Sequence, residues 1–323
     1  MKSKTQAGLA LVIVIWVLSL LTIMAGSFAL TMRRETTVIS ALKDNAETLS
    51  VAETGLTIAQ HMLFLEDKDK RWQVDGSIYP LQFQGAEIRI RIFSEQGKID
   101  INKADEALLL KMLESTSEEL DNQEELVAAI LDWRDNDDQV HINGAEKQQY
   151  EDAGLAYQPA NKEFQLVEEI QMVLGMNDII FQQIRPLITV YSGESKVDLE
   201  VASEEVLQAV SDSDIELSDD FSQQDLENKK TPATDSASPR LKQTGVDKSG
   251  NDTNSVYTII SQARFYEGVE VGIRITIQKA GNSNQVGSIQ VLDYQQLYQD
   301  VSLFSDEMDK LLVTAEDESE QEY

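Results

Sequence analysis

Acidic residues between positions 132 and 151 are the side chains best suited to chemistry. Clustered carboxylates repel one another and shift one another's pKa values unless a cation neutralises them. Hard cations such as Ca²⁺ take six to eight oxygen ligands, which a loop rich in carboxylates supplies. The spacing leaves two interpretations open: a calcium-binding loop, or a solvated acidic loop after a helix that ends at Trp133. The candidate ligands are Asp132, Asp135, Asp137, Asp138 and Glu146.

The spacing partly resembles the calcium loop of an EF-hand. Asp135, Asp137 and Glu146 match the first, third and last ligand positions of that loop, but Val140 stands where it requires glycine. The segment is therefore not an EF-hand. Zinc binding through His141 is an alternative that the sequence disfavours, because no second His or Cys lies near it.

Composition excludes several function classes. The chain has 57 Asp and Glu against 27 Lys and Arg, and its net charge of −30 argues against nucleic acid as a partner. It has no Cys, which excludes thiol catalysis and disulfides. The sequence contains no G-x-S-x-G motif, no H-E-x-x-H motif and no phosphate loop. We therefore predict that the protein is not an enzyme.

The N-terminus combines a short basic leader with an apolar stretch from Leu9 to Leu30. About 22 residues form roughly 33 Å of helix, enough to cross the hydrocarbon core of a membrane. An ordinary secretory signal is cut after its apolar region, whereas the Gly8–Leu9 junction favours a cut before it. Two alternatives are an uncut signal anchor and a signal peptide that is cut near Ala29.

The hydrophobic period changes along the chain. A helical pattern continues to Leu65, which predicts one long N-terminal helix. After turn signals at Asp75-Gly76 and Gln84-Gly85, alternation over Ala86–Ser94 predicts a half-buried strand. Further strands are predicted at Val256–Phe265, Val269–Gln278 and Val286–Tyr294.

The region between these strands is predicted to be helical. Two short helices around Gly175, at Leu166–Leu174 and Asn177–Ile184, resemble a helix-hairpin-helix, a module that often binds DNA backbones. Glu168 and Glu169 flank the hairpin, and phosphate binding requires positive charge. The hairpin is therefore predicted to serve packing.

The predicted fold class is α+β, with a long N-terminal helix packed on a small antiparallel sheet and a large all-α domain inserted between strands. We divide the chain into a leader (1–8), a transmembrane helix (9–30), the rest of the long helix with the first strands (31–97), the helical insert (98–210), a disordered polar loop (211–255), C-terminal strands (256–294) and an acidic tail (295–323).

Several motifs occur in a fixed order and together resemble one known family. The motifs are Gly8–Leu18, Ala25–Leu30, Met32–Glu35, Asp132–Asp135, Asn143–Glu146 with Tyr150, Pro159–Asn161 and Leu166–Pro186. They resemble the minor pseudopilin K family of bacterial type II secretion systems, also called general secretion pathway protein K. Pilin-like chains usually carry Glu at mature position five, and this family shares the departure seen here at Ile13.

The resemblance implies a pilin-like fold and calcium bound in the acidic segment. It also implies removal of residues 1–8 by the prepilin peptidase, methylation of the new N-terminus at Leu9, and a single pass through the inner membrane with a periplasmic body. The expected partners are the I and J types of minor pseudopilin and the major pseudopilin, with this chain at the pseudopilus tip. There it would initiate or cap assembly and support the export of folded proteins. The alternative is a minor pilin of a type IV pilus.

Overall fold

The computed structural model describes residues 7–65, 67–116, 122–210, 255–265, 269–280, 288–297 and 302–313. Within these ranges lie six α-helices: α1 (Ala7–Leu63), α2 (Glu106–Thr116), α3 (Gln123–Arg134), α4 (Lys147–Asp152), α5 (Asp178–Ile184) and α6 (Glu204–Val210). The strands are β1 (Asp75–Phe83), β2 (Ala86–Ser94), β3 (Ile99–Asp100), β4 (Ile188–Thr189), β5 (Val256–Phe265), β6 (Glu270–Ala280) and β7 (Ser288–Leu297).

Helix α1 joins the apolar stretch and the amphipathic stretch into one continuous helix of 57 residues. Large apolar side chains between Leu11 and Leu30 are exposed. Within the described residues α1 is the one helix long and apolar enough to cross a membrane. The C-terminal part of α1, from Thr48 onward, is the part that packs on the protein's own sheet.

The main sheet has five antiparallel strands in the order β1-β2-β5-β6-β7. Strands β2 and β5 are neighbours, with Ala86 opposite Phe265 and Ser94 opposite Tyr257. Because these neighbouring strands are far apart in sequence, the whole helical region is inserted between two central strands. The predicted α+β fold class is confirmed.

Alternation along the strands places one apolar face of the sheet against α1. Ile88, Ile90 and Ile92 are fully buried there, together with Ile259 and Ile273 from the neighbouring strands. A separate core fills the insert, where α2 packs on α3, α5 and α6. In the short parallel pair, β3 precedes α2 and β4 lies between α5 and α6.

The opposite face of β2 differs from the prediction of a half-buried strand. Arg89 and Arg91 are buried as well, because other segments cover them. The Arg91 guanidinium donates to the Glu205 carboxylate of α6 at 2.8 Å. Arg89 donates to the backbone carbonyl of Leu303 and to the Asp309 carboxylate, both at 2.7 Å.

Residues 302–313 form a C-terminal strap across this second face. Leu303 is buried, and its backbone N–H donates to Gln262 Oε1 at 2.6 Å. Leu312 makes a parallel bridge with Ile78 on the outer edge of β1. The strap therefore covers both a face and an edge of the sheet, although the sequence suggested no role for this region.

Three details differ from the predicted elements. Asp75-Gly76, predicted as a turn, lies within β1, where the pairing register shifts between Asp75 and Ile78. The predicted helix at Leu166–Leu174 is a 3-10 helix over Val167–Met172. The predicted boundary at residue 294 falls inside β7. The predicted leader (apart from residues 7 and 8), the loop at 211–254 and the end of the acidic tail from 314 onward lie outside the described residues.

The strap gives a testable expectation for stability. Leu303→Ala removes a buried side chain and should lower the free energy of unfolding by about 2–5 kcal/mol. Urea denaturation of the body that begins at Thr36 measures this. Removing residues 314–323 is the control, because every strap contact named above remains. Equal midpoints for Leu303→Ala and the unchanged body would mean that the strap does not stabilise the sheet.

Candidate metal centre

The acidic segment begins inside α3, whose apolar side chains belong to the core of the insert. Near the end of this helix the Trp133 ring stacks on Phe164, with centroids 6.0 Å apart, and it lies 6.2 Å from Tyr150. The preceding residue, Asp132, is 0% exposed. The packing of α3 thus brings a carboxylate into the interior.

Arg134 fixes the end of α3 to the segment that follows β3. Its guanidinium donates to the carbonyls of Ile101 and Ala104 at 2.5 and 2.6 Å. Burial lowers the pKa of this guanidinium, while the nearby Asp100 and Asp105 carboxylates oppose that shift. The helix end that carries Asp132 is therefore held from two sides, by aromatic packing and by this arginine.

After the helix the chain makes tight turns through the remaining aspartates. The backbone N–H of Asp137 donates to Asp135 Oδ1 at 3.3 Å, and that of Gln139 donates to Asp137 Oδ1 at 2.8 Å. Asn161, at a left-handed φ of 47°, donates to the Asp137 carbonyl at 2.8 Å and to Asp138 Oδ1 at 2.9 Å. Asn161 therefore holds the outer part of the loop.

His141 turns back toward the buried carboxylate. Its backbone N–H donates to Asp132 Oδ1 at 3.1 Å, and its ring Nδ1 makes a short hydrogen bond with the same oxygen. Nδ1 lies 3.7 Å from Asp135 Oδ2. A turn closed by the Gly144 N–H on the His141 carbonyl, at 2.8 Å, holds this arrangement. A Cβ at Gly144 would overlap the Asp132 carboxylate, so that position requires glycine.

The structure brings some of the predicted ligands together. Donor atoms of Asp132, Asp135 and His141 all lie within 4.8 Å of one another. Glu146 is 6% exposed and caps the N-terminus of α4, where its backbone N–H donates to Gln149 Oε1 at 3.0 Å. Asp138, by contrast, is engaged with Asn161 on the exposed side of the loop.

Within this described segment, two buried carboxylate oxygens have no hydrogen-bond partner: Asp132 Oδ2 and Glu146 Oε1. Leaving a buried acceptor unsatisfied is costly, and more so when it is charged. Burial, together with repulsion from Asp132 and Asp135, raises the pKa of Glu146 to about 7. Burial also raises the pKa of Asp135. A cation among these groups would satisfy the oxygens and offset the repulsion, so the residues fit an oxygen-binding metal ion.

Two residues of this centre were not among the predicted ligands. The sequence disfavoured His141 as a ligand because no second His or Cys lies near it, but the loop folds this ring onto the two aspartates. The sequence suggested no role for Asn161, which follows Pro159-Ala160 more than twenty residues after the aspartates. Neither contact is local, so spacing carried little signal for them.

A long apolar helix that continues onto an antiparallel sheet is a pilin-like fold. Residues 90–193 match the family model described as type II secretion system (T2SS), protein K. The "Type II secretion system protein K" of Klebsiella pneumoniae is 23% identical over 211 residues, which cover 59% of this chain and 64% of the relative. The protein of that name from Pectobacterium carotovorum subsp. carotovorum is 26% identical over 134 residues, which cover 37% of this chain and 40% of the relative.

Among solved structures, the chain is similar to one in the crystal structure of the GspK-GspI-GspJ complex from the type 2 secretion system of enterotoxigenic Escherichia coli. The likeness has a TM-score of 0.49 and 16% identity, and covers 83% of this chain and 99% of that one. The alignments to the two curated relatives span less than two thirds of either relative's length. The match of residues 90–193 to the protein K family model confirms the resemblance noted from the motifs.

Replacing Glu146 should change the melting temperature in opposite directions in chelator and in Ca²⁺. At pH 8 in chelator, Glu146→Gln should raise the melting temperature of the body that begins at Thr36, because it removes a buried charge among like charges. In saturating Ca²⁺ the same variant should melt below the unchanged body, because it loses a ligand. Calcium at about 100-fold over Kd should add roughly 2.7 kcal/mol to the unchanged body.

Glu151→Gln is the matched control for this test. Glu151 lies on the same short helix, but it is exposed and sits 3.9 Å from Lys147 Nζ. Such surface pairs contribute little to stability, so the control should match the unchanged body in both conditions. Equal melting in calcium and in chelator for the unchanged body would leave the acidic loop as solvated surface.

Proposed function

We propose that this chain is a minor pseudopilin that lies at the tip of a type II secretion pseudopilus. There it initiates or caps assembly and supports the export of folded proteins. The observation that carries the proposal is the protein K domain at residues 90–193, inserted into a pilin-like helix and sheet. On this proposal its role is structural, and the protein is not an enzyme.

The free part of α1 supports assembly with similar subunits. Beyond the apolar span the helix continues without contacting its own sheet, and Val38, Ile39 and Leu42 remain exposed there at 58–65%. Exposed apolar side chains that recur on one helix are typical of a surface that packs against partners. The partners that we propose are the I and J types of minor pseudopilin and the major pseudopilin.

Shape and charge favour an end position over a repeated one. The helical insert extends from the middle of the sheet, between β2 and β5, so copies stacked along a filament would have to accommodate it repeatedly. The net charge of −30 also opposes self-association. Ile13 stands at mature position five, so the chain brings no carboxylate that would need a partner in an apolar filament core.

We also propose the processing and location that the family implies. The prepilin peptidase would cut between Gly8 and Leu9, and the new N-terminus would be methylated. Helix α1 would then cross the inner membrane once and hold the body in the periplasm. The helix length and its apolar N-terminal part support a single pass.

Calcium is the proposed ion of the metal centre. Carboxylates of Asp132, Asp135 and Glu146 would hold it, with Asp137 and Asp138 on the same loop as further oxygen donors. The ion would supply positive charge where buried acidic groups otherwise repel. The ion would stabilise the insert. Hydrogen bonds from Arg134 and from the His141 backbone already position the end of α3, so the ion would add to an existing arrangement.

Processing has a direct readout. The protein extracted from membranes of cells that contain the prepilin peptidase should lack eight residues, with a methylated Leu9 at its N-terminus. Intact-mass measurement resolves this change. An N-terminus at Met1, or one near Leu30, would contradict a processed and retained helix.

Assembly is tested by mixing soluble bodies. The body that begins at Thr36 should remain monomeric alone and should form a complex of defined stoichiometry with the bodies of the I and J type subunits. Size-exclusion chromatography with light scattering measures both states. Deleting the gene should impair export of secreted proteins while the major subunit is still produced. Open-ended self-association of this chain would rule out the tip position.

A further inference from the structure

The donor set around Asp132 differs from an all-oxygen calcium site. The described residues place three donors within 4.8 Å of one another: one carboxylate oxygen each from Asp132 and Asp135, and Nδ1 of His141. Ca²⁺ takes oxygen ligands, whereas imidazole nitrogen suits first-row transition metals. We propose that His141 is a metal ligand through Nδ1 and that this centre takes a divalent transition metal ion, of the Mn²⁺ or Zn²⁺ class, as well as Ca²⁺.

The distances suit such an ion. Donors that lie about 2.0–2.2 Å from one metal are separated from each other by roughly 3–4 Å. Nδ1 of His141 is 3.7 Å from Asp135 Oδ2, which is in this range. The shorter contact between Nδ1 and Asp132 Oδ1 would open when a metal takes over the attraction that now joins them. The ring is 49% exposed on its side-chain surface, so an ion has access from solvent.

A second observation comes from Glu146, which lies outside the three-donor group. Glu146 is 6% exposed, its Oε1 has no hydrogen-bond partner, and repulsion from Asp132 and Asp135 acts on it. Asp132 Oδ2 is also buried without a partner. A cation held by the three donors would offset this repulsion beside unsatisfied acceptors.

The loop also holds His141 in place by its backbone, as a pre-organised ligand requires. The His141 N–H donates to Asp132, and the His141 carbonyl accepts from Gly144. These two backbone hydrogen bonds fix the residue whose ring faces the aspartates.

The inference rests on the proposed metal role of the acidic loop but concerns a different ion and a different ligand. The test uses the full chain in detergent micelles, purified without a histidine tag. Titrations use Mn²⁺, Zn²⁺ and Ca²⁺ separately. Trp16 and Trp72 are replaced by Phe in every sample, so that fluorescence reports on Trp133, which adjoins Asp132. Electron spin-echo measurements on the Mn²⁺ sample detect a directly bound imidazole nitrogen.

The chain contains two histidines, which makes the assignment clear. The unchanged protein should show nitrogen modulation with Mn²⁺. His141→Ala should remove the modulation and weaken Mn²⁺ and Zn²⁺ binding by about tenfold or more, as expected for the loss of a ligand. His61 lies on the exposed surface of α1, so His61→Ala should change neither the nitrogen modulation nor the metal affinities. His141→Asn keeps a polar side chain and serves as a second variant, with loss of the modulation expected.

The outcomes separate this inference from the calcium proposal. Stabilisation by Ca²⁺ with no nitrogen modulation, or Mn²⁺ and Zn²⁺ affinities unchanged in His141→Ala, would overturn the histidine ligand and leave the calcium site intact. Nitrogen modulation without any effect of Ca²⁺ would support the histidine ligand and contradict the calcium site. Absence of binding by all three ions would overturn both.

Discussion

The close approach of α1 to the sheet is the constraint on which the rest of the structure depends. Ala52, Gly55 and Ala59 form the strip of the helix that lies against the strands. A Cβ at Gly55 would lie 2.8 Å from the Ile88 side chain and closer still to Ser261 Oγ. Only small residues allow the helix backbone to lie this near β2 and β5, so the apolar face of the sheet is covered by one helix.

The packing of α1 on the sheet determines the positions of the other elements. It uses the C-terminal part of α1, so the apolar N-terminal part extends away from the body. It also leaves the other face of the sheet to be covered by α6 and the C-terminal strap, which together satisfy Arg91 and Arg89. A buried guanidinium without a partner costs far more than a surface charge. The insert and the strap are therefore needed to complete the sheet.

Inside the insert, packing prevails over local electrostatics. Trp133 and its aromatic neighbours hold the end of α3 in the core, and Asp132 is buried beside them despite its charge. The energetic cost falls on the carboxylates, as seen in the unpartnered oxygens and in the raised pKa values of Glu146 and Asp135. A cation bound here, as proposed above, would relieve the repulsion among these acidic groups.

The sequence predicted those parts of the fold that local periodicity encodes. Alternating isoleucines predicted β2 with its observed bounds, and β5 was predicted equally well. Strand β1 was not located by the sequence analysis, because Gly76, at φ 86°, has the signature of a turn but forms an irregular strand entry. Pro80 lies in the same strand, which is tolerated because β1 is at the edge of the sheet.

Long-range contacts were the part that the sequence could not predict. The strap lacks a hydrophobic period of its own, and its place is set by Arg89 more than two hundred residues earlier. The candidate site shows the same limit. The aspartates were found from their spacing, whereas the contacts of His141 and Asn161 depend on how the loop folds back.

The central proposal is that the free part of α1 packs beside pseudopilin subunits, and crosslinking in cells tests it most directly. The chain has no Cys, so one cysteine placed at Leu42, which is 65% exposed, gives a single reactive site. Cells that carry the secretion system and single-cysteine variants of the I or J type subunits should yield a mixed adduct with this chain. A cysteine at Asp69, beyond the end of α1, should not. A ladder of adducts of this chain with itself, and none with the other subunits, would contradict the account.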